Sequence, residues 1–358
     1  MAELDYSLLK QYEGKRVLIT GDTGFKGSWL AFLLNEIGAT VKGIALAPVT
    51  EVSHYELLGL NNVIQHTEID IRDHEKLKYE MLAFEPDFVF HMAAQALVKV
   101  SYQDPYNTFG TNVMGSVSLL DAVRSCDSVQ SLVYITSDKC YENVEWVWGY
   151  RETDKLGGHD PYSASKAAAE LVFSAYKRSY FDSRENFGLA STRAGNVIGG
   201  GDWSKDRIIP DCVRAYQADT SVYLRNPNAT RPWQHVLEPL SGYLLLGLKL
   251  LEDNEKYSGA WNFGPDSSDV RSVHDVTSSV FSYLGKGSIK LDDQIHEHEA
   301  NLLQLNCDKA HSLLNWHPKW DADTTLRHTA MWYKRVLAGE SAVEVTKEQL
   351  TEYFTGLL

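Results

Sequence analysis

The first half of the chain alternates short, continuous apolar runs with longer amphipathic stretches. A continuous apolar run indicates a strand buried on both faces, and amphipathic stretches of helical length indicate helices that cover a sheet. The predicted strands are residues 16–20, 40–46, 63–69, 87–92, 131–136 and 187–193. The predicted helices are residues 26–37, 73–84, 105–124 and 163–180. This order predicts an α/β fold with a Rossmann-type doubly wound parallel sheet, whose ligands bind at the carboxyl ends of the strands.

The regular alternation ends near residue 193. Three consecutive glycines at 199–201 then form a loop, and the later elements are shorter and more mixed. We predict a nucleotide-binding domain over residues 1–193 that carries the catalytic groups. A smaller C-terminal α/β domain over residues 194–358 would mainly bind the second ligand, with a return of some of its elements to the first sheet left open.

The composition of the chain indicates which classes of protein it can belong to. An apolar share of 44% and a charged share of 23% are typical of a globular protein. The net charge of -14 provides no overall attraction for nucleic acid or an anionic membrane. The four cysteines form no CxxC pair, which predicts neither a disulfide framework nor a metal site. Without a signal-peptide pattern or an apolar run long enough to span a bilayer, we expect a cytoplasmic protein.

The loop after the first predicted strand has three glycines in the spacing GxxGxxG. Such glycines permit a tight turn and a close backbone approach to a pyrophosphate, and the following helix N-terminus offers free N–H groups. The predicted cofactor contacts in this loop are Gly21, Thr23, Gly24, Phe25, Lys26 and Gly27. Asp22 is unexpected here because a carboxylate repels phosphate, so we expect its side chain to turn away and cap the helix. The second predicted strand ends without an acid, which leaves NAD or NADP open.

Tyr162 and Lys166 open a predicted helix that begins at Pro161. Residues four apart share one helix face. An ammonium, together with an oxidised nicotinamide, would lower the phenol pKa from its usual value of about 10. Tyr162 could then take the proton of a substrate hydroxyl whose carbon gives up a hydride. The same spacing at Tyr6 and Lys10 precedes the first strand and cannot face that edge of the sheet.

The glycine spacing and the tyrosine–lysine pair resemble the short-chain dehydrogenase/reductase superfamily. This resemblance implies a hydroxyl at Ser137 that polarises the reacting substrate oxygen. It also implies cofactor contacts from two further strand ends, namely Asp70, Ile71, Ala93, Ala94 and Gln95. For Asp70, a second interpretation is a cap of the helix that follows.

Four further segments are similar to the CDP-glucose 4,6-dehydratases, which belong to the extended branch of this superfamily that acts on nucleotide sugars. They are residues 24–30 (GFKGSWL), 136–139 (TSDK), 195–203 (GNVIGGGDW) and 231–236 (RPWQHV). The resemblance spans nearly the whole chain and implies NAD as cofactor and CDP-glucose as substrate. It implies oxidation at C4, loss of water across C5 and C6, and return of the hydride to C6, as in deoxysugar biosynthesis for O-antigen.

The same resemblance assigns Asp138 as the acid that protonates the departing C6 oxygen. Lys139 stands where relatives carry a glutamate base. An ammonium cannot accept a proton, so Lys139 either has a lowered pKa or stabilises the enolate electrostatically. The predicted substrate contacts are Arg193, Asn196, Asp202, Trp203, Arg207 and Arg231. For Arg193, a structural ion pair is an equal alternative.

Other functions remain open from the sequence. A nucleotide-sugar 4-epimerase needs the same cofactor loop and Tyr162 but no acid beside Ser137. A dehydratase for another nucleotide-diphosphoglucose and a non-catalytic NAD-binding regulator are further alternatives. By resemblance, we also expect a homodimer or a larger homo-oligomer formed through the helices at 105–124 and 163–180.

Overall fold

The computed structural model describes residues 6–266, 269–292 and 302–354. Its strands are β1 Arg16–Thr20, β2 Thr40–Ala45, β3 Gln65–Glu68, β4 Phe88–His91, β5 Ser131–Ile135, β6 Gly188–Ala194, β7 Val197–Ile198, β8 Ser221–Leu224, β9 Thr230–Pro232, β10 Gln234–His235, β11 Gly259–Phe263, β12 Val270–Ser272 and β13 Ser288–Leu291. Seven of these form one parallel sheet in the order β11-β6-β5-β4-β1-β2-β3. This order confirms the predicted Rossmann-type doubly wound sheet.

Helices pack on both faces of this sheet and within the C-terminal part of the chain. They are α1 Tyr6–Leu9, α2 Phe25–Ile37, α3 His54–Leu57, α4 His74–Phe84, α5 Val98–Gln103, α6 Pro105–Phe109, α7 Gly115–Arg124, α8 Pro161–Tyr176, α9 Ile208–Ala218, α10 Leu237–Glu252, α11 Asn254–Tyr257, α12 Val273–Leu284, α13 Ala322–Leu337 and α14 Ala342–Tyr353. Apolar side chains of α2 and α10 fill the core on one face. Those of α4, α7 and α8 fill the core on the other face. Coverage on both sides explains why the strands read as continuous apolar runs.

The six predicted strands correspond to β1 to β6, and the four predicted helices correspond to α2, α4, α6 with α7, and α8. The predicted helix at 105–124 is divided, because a wider π-helical turn at Gly110–Met114 separates α6 from α7. A similar turn at Lys177–Phe181 follows α8. Periodicity did not reveal these turns, since one wider turn leaves the apolar spacing on either side helical.

Residues after 194 form short strands beside the carboxyl edge of the sheet, together with helices that include the long α10 and α13. Three two-stranded pairs, β7–β10, β9–β12 and β8–β13, lie in this part. Its strand β11 returns to the main sheet and pairs with β6. Among residues 6–266, 269–292 and 302–354, no helix has both the length and the apolarity that a membrane crossing requires.

A buried ion pair fastens α8 to the sheet. Glu170 on α8 accepts hydrogen bonds from Arg193 Nε at 3.0 Å and Nη2 at 2.9 Å on β6. The hydroxyls of Thr136 and Ser191 donate to the same carboxylate, at 2.5 and 2.8 Å. Burial acts to raise the pKa of Glu170, but Arg193 and these donors outweigh it and the pKa lies below its ordinary value. Arg193 is therefore a structural cation, which corrects its prediction as a substrate contact.

We expect Glu170→Leu to reduce the free energy of unfolding by about 3–5 kcal/mol, because it leaves the Arg193 guanidinium buried and unpaired. The double variant Glu170→Leu/Arg193→Met removes both charges and should recover most of that loss. Chemical denaturation followed by circular dichroism measures both. As a control, Glu252→Ala breaks the exposed pair with Lys249 and should change stability by less than about 1 kcal/mol. A single variant as stable as the double variant would contradict the role of the pair.

Candidate active site

A cavity of about 800 Å³ opens at the carboxyl ends of the central strands, between the sheet and the C-terminal part. We call it the central cavity. The predicted site residues that line it are Gly21, Thr23, Gly24, Phe25, Lys26, Gly27, Asp70, Ile71, Ala93, Ala94, Gln95, Ser137, Asp138, Lys139, Tyr162, Lys166, Asn196, Asp202, Trp203, Arg207 and Arg231. Arg193 is not among its lining residues, since its side chain is held by Glu170.

The glycine loop has the close packing that a dinucleotide site requires. Gly21 adopts a φ of +81°, and a Cβ there would lie 2.7 Å from the backbone nitrogen of Ala93. A Cβ on Gly27 would lie 2.1 Å from the carbonyl oxygen of Gly21. Helix α2 begins after Gly24, and no side chain caps its first N–H groups. The backbone at the helix N-terminus is therefore available to the phosphates of a dinucleotide.

Asp22 turns away from the cavity but does not cap α2, so that part of the prediction is wrong. Its side chain is fully buried beneath the loop. There Oδ2 lies 2.8 Å from Nδ1 of His66 on β3. A Cβ on Gly43 of β2 would lie 2.0 Å from the same oxygen, so only glycine at this position leaves room for the Asp22 carboxylate.

Asp70 lines the central cavity at the end of β3 and pairs with Arg72. Nε of Arg72 lies 3.0 Å from both carboxylate oxygens, and the hydrogen bond from Arg72 lowers the pKa of Asp70. The alternative interpretation of Asp70 as a helix cap is wrong, because Asp73 accepts from Lys76 N at the start of α4. Sequence analysis missed Arg72, since no motif places a cation two residues after Asp70.

The side chains of two other predicted cofactor contacts form hydrogen bonds with other residues of the protein. The hydroxyl of Thr23 donates to the carbonyl of Leu46 at 2.8 Å. The amide of Gln95 donates to the Thr108 hydroxyl at 2.9 Å. These residues line the cavity, and their side chains fix the positions of neighbouring backbone segments.

Tyr162 and Lys166 lie one turn apart on α8, with Lys166 Nζ 6.0 Å from the centre of the Tyr162 ring. Asp160 caps this helix and Pro161 occupies its first turn, as the sequence pattern indicates. Ser137 follows β5 and makes a side-chain hydrogen bond with Tyr162. The three side chains are buried and line one side of the central cavity.

Burial is the main cause of the pKa shifts of Tyr162 and Lys166. Desolvation raises the pKa of Tyr162 to about 12, which the hydrogen bond with Ser137 partly offsets. Desolvation also lowers the pKa of Lys166 to about 8. Burial therefore outweighs the groups that lower the pKa of Tyr162, which are the Ser137 hydroxyl and the Arg207 guanidinium rather than the predicted Lys166.

Asp138 has one oxygen bound and one oxygen unpaired. Its Oδ1 accepts a hydrogen bond from the Ser137 hydroxyl at 2.9 Å. Its Oδ2 is buried and has no hydrogen-bond partner within the described ranges. A Cβ on Gly195 would lie 3.1 Å from that oxygen, so glycine leaves space beside it. A buried, unsatisfied carboxyl oxygen of this kind suits proton exchange with a bound ligand.

Cationic side chains surround the same part of the cavity. The pKa of Lys26 falls to about 8, first because of burial and then because of Lys166 and Arg207, while Asp138 acts in the opposite direction. Arg207 Nη1 donates to Asp202 Oδ2 at 2.8 Å, which positions its guanidinium at the cavity wall. This concentration of positive charge suits a phosphate-bearing ligand in a protein whose net charge is -14.

The cavity wall also includes residues that sequence analysis missed. Tyr223, Arg225 and Asn226, from β8 and the residues after it, line the cavity. No periodic pattern marks this segment, because its position depends on the short β8–β13 pair.

The chain is similar in sequence to known 4,6-dehydratases. The family model described as GDP-mannose 4,6 dehydratase matches residues 18–329. The CDP-glucose 4,6-dehydratase of Salmonella typhimurium (strain LT2) is 48% identical over 349 residues, which cover 96% of this chain and 97% of that protein.

Solved structures show the same fold. The UDP-glucose 4-epimerase of Thermus thermophilus, in complex with NAD, has a TM-score of 0.76 and 26% identity, covering 89% of this chain and 99% of that one. The dTDP-glucose 4,6-dehydratase of Streptomyces venezuelae, solved with NAD bound, has a TM-score of 0.75 and 22% identity, covering 96% and 100%. The second likeness concerns the fold alone.

We expect Gly27→Ala to weaken NAD binding by at least about tenfold, because the added methyl group would meet the Gly21 carbonyl and displace the loop from the pyrophosphate. Isothermal titration calorimetry measures the affinity, and circular dichroism checks the fold. The control is Gly110→Ala, whose Cβ would make only ordinary contacts, at 3.6 Å, with Arg72. Equal affinity of the Gly27 variant and the wild type would contradict the role of the close approach.

Proposed function

The chain belongs to the GDP-mannose 4,6-dehydratase family, and we propose that it is the enzyme that converts CDP-D-glucose to CDP-4-dehydro-6-deoxy-D-glucose and water. The observation that carries this proposal is the unpaired Oδ2 of Asp138, buried next to Ser137 and facing the same cavity as Tyr162. Elimination of water requires an acid at this place, in addition to the groups that oxidise an alcohol. The 48% identity to a CDP-glucose 4,6-dehydratase over nearly the whole chain supports cytidine as the base.

NAD is the cofactor that the glycine loop and the strand ends fit. The backbone around Gly21 and Gly27 would hold its pyrophosphate, and Asp70 would reach its adenosine end. When bound, NAD supplies the chemistry of accepting a hydride from C4 of the sugar and returning it to C6. The chain itself provides orientation, charge and proton transfer.

Tyr162 would remove the proton of the C4 hydroxyl through its phenol oxygen. Because burial raises its pKa to about 12, the positive charges near the phenol must offset desolvation for it to act as a base. Lys166 supplies one such charge from the next turn of α8. The hydroxyl of Ser137 would hydrogen-bond the same substrate oxygen and align it with the phenol.

Asp138 would then donate a proton from its carboxyl group to the C6 oxygen, so that water leaves. Oxidation at C4 comes first because a neighbouring carbonyl makes the C5–H bond acidic. We assign removal of the C5 proton to Lys139, whose side chain lines the cavity next to Asp138. In this role Lys139 would have to be the neutral amine when it takes the proton, and it would return the proton to C5 when the hydride reaches C6. In the alternative role Lys139 is an ammonium that stabilises the enolate electrostatically.

The nucleotide diphosphate would lie against the cationic wall of the cavity. Arg207 and Arg231 offer planar guanidinium groups that suit phosphate oxygens, and Asn196, two residues after β6, lines the same cavity. Asp202 orients Arg207 through their ion pair, and the partly buried indole of Trp203 provides an apolar surface for the sugar or the base.

We propose that the enzyme acts in the cytoplasm and as a homo-oligomer. The activity suits deoxysugar biosynthesis of the O-antigen type, and the four free, buried cysteines suit the cytoplasm. Apolar residues on α6 to α8 are exposed, with Tyr106 at 86% and Leu171 at 61%, which favours association with a second copy of the chain.

Incubation with NAD and CDP-glucose, followed by mass spectrometry, should show a product lighter by one water. A changed sugar of equal mass would favour a 4-epimerase, and turnover only with UDP-, dTDP- or GDP-glucose would favour a dehydratase for another nucleotide sugar. Tyr162→Phe should abolish turnover while leaving the circular dichroism spectrum unchanged, because the phenol oxygen is the proton acceptor. A variant as active as the wild type would refute that assignment.

For Asp138→Asn, we expect kcat for water loss to fall about 10²- to 10⁴-fold with KM nearly unchanged, since the amide keeps the shape but cannot donate an acid proton. Steady-state kinetics with CDP-glucose measures this. Asp206→Asn, which alters the rim of the cavity at the pair with Lys99, is the control and should retain most of the activity. An equal loss in both variants would argue against an acid role for Asp138.

A further inference from the structure

The chain buries a carboxylate directly beneath its own phosphate-binding loop. Asp22 lies between two glycines of the loop, and its side chain is fully buried. Its Oδ1 has no hydrogen-bond partner in the described part of the chain, and its Oδ2 has one, the imidazole of His66 at 2.8 Å. A buried negative charge close to the site of a pyrophosphate opposes binding unless a positive charge compensates it.

We propose that Asp22 and His66 form a protonation-dependent charge pair that sets the affinity of the glycine loop for the dinucleotide pyrophosphate. When His66 is protonated, the pair is neutral overall and the helix N-terminus attracts the phosphates. When His66 is neutral, the carboxylate of Asp22 is uncompensated and repels them. This inference rests on the proposed NAD site and assigns a role to two residues that do not touch the cofactor.

The surroundings of His66 support this role. The hydrogen bond to the Asp22 carboxylate raises the pKa of His66, partial burial opposes it, and the charges of Asp22 and Glu68 raise the pKa further. The ring of Tyr55 on α3 lies 5.5 Å from the imidazole, and burial, followed by Asp22, raises the pKa of that phenol to about 12, so it stays neutral. On β2, Gly43 lies opposite His66 in the sheet and brings no charge.

Lys42 and Glu68 are the other charged residues of β2 and β3, and Glu68 adds negative charge on the face of β3 that carries His66. Lys42 and Glu80 form an ion pair next to Thr67, and consecutive residues of a strand point to opposite faces, so this pair lies on the other side of β2 and β3. His66 is therefore the cation that compensates Asp22. Its side chain is 21% exposed, which allows proton exchange with solvent.

The direction of the pH effect follows from the raised pKa. The pair stabilises the folded state below the unfolded-state pKa of about 6.5, and this stabilisation is lost as the pH rises through the folded-state pKa. Affinity for NAD should fall over the same range. By thermodynamic reciprocity, bound NAD should raise the pKa of His66 further.

The test compares NAD affinity of the wild type and of Asp22→Asn by calorimetry between about pH 5.5 and pH 8.5. Lys26 and Lys166 also have pKa values of about 8 within the cavity, so the informative quantity is the ratio of the two dissociation constants at each pH. We expect the wild type to bind more weakly than the variant, with a ratio that rises roughly five- to tenfold across this range. A ratio that does not change with pH overturns the proposal.

Two further measurements keep the inference testable if Asp22→Asn folds poorly. His66→Gln should bind NAD at low pH as weakly as the wild type does at high pH, and the control His317→Gln, at an exposed histidine outside the cavity, should match the wild type. The His66 ring, titrated by NMR, should show a higher pKa with NAD bound than without it. An unchanged pKa overturns the proposal. A wild type that binds no NAD at any pH overturns the proposed function as well, whereas NAD binding with a flat ratio overturns only the role of the pair.

Discussion

The buried carboxylate of Glu170 joins the elements that carry the proposed catalytic groups. It binds Thr136 at the end of β5, Ser191 and Arg193 on β6, and it lies one turn after Lys166 on α8. Ser137 and Asp138 follow Thr136 directly in the sequence, so the same contact positions both the proposed acid and the helix that carries Tyr162 and Lys166. A buried carboxylate with all of these donors has a single favourable geometry, and this rigidity is what proton transfer over hydrogen-bond distances requires.

Charge in the central cavity differs from charge over the whole molecule. The chain carries a net charge of -14, yet Lys26, Lys139 and Lys166 line the cavity together with Arg207. Burial lowers the pKa of Lys26 and Lys166, and the neighbouring cations lower that of Lys26 further. An anionic nucleotide ligand would offset this cost, so the charge arrangement and the proposed ligand are complementary.

Two site predictions failed for physical reasons that the sequence does not contain. Arg193 lies at the end of β6, where a phosphate contact would be expected. Its guanidinium instead forms an ion pair with Glu170, which lies 23 residues earlier in the sequence. Asp22 occupies a loop position next to a helix start, but Gly43 and His66 on neighbouring strands create a space for its carboxylate. In both cases the competing partner is distant in sequence and adjacent only after the sheet has formed.

The sequence alone determined the order of strands and helices, because buried parallel strands demand continuous apolar runs and glycine spacing demands a tight loop. It also placed Ser137, Asp138, Tyr162 and Lys166 at the same edge, since strand ends and the following helix start must meet there. Only the tertiary structure decided which charges are paired, where β11 inserts, and how burial shifts the pKa of Tyr162 and Lys166. Desolvation and ion pairs between residues distant in sequence depend on packing in three dimensions, so the local pattern of apolar and polar residues does not predict them.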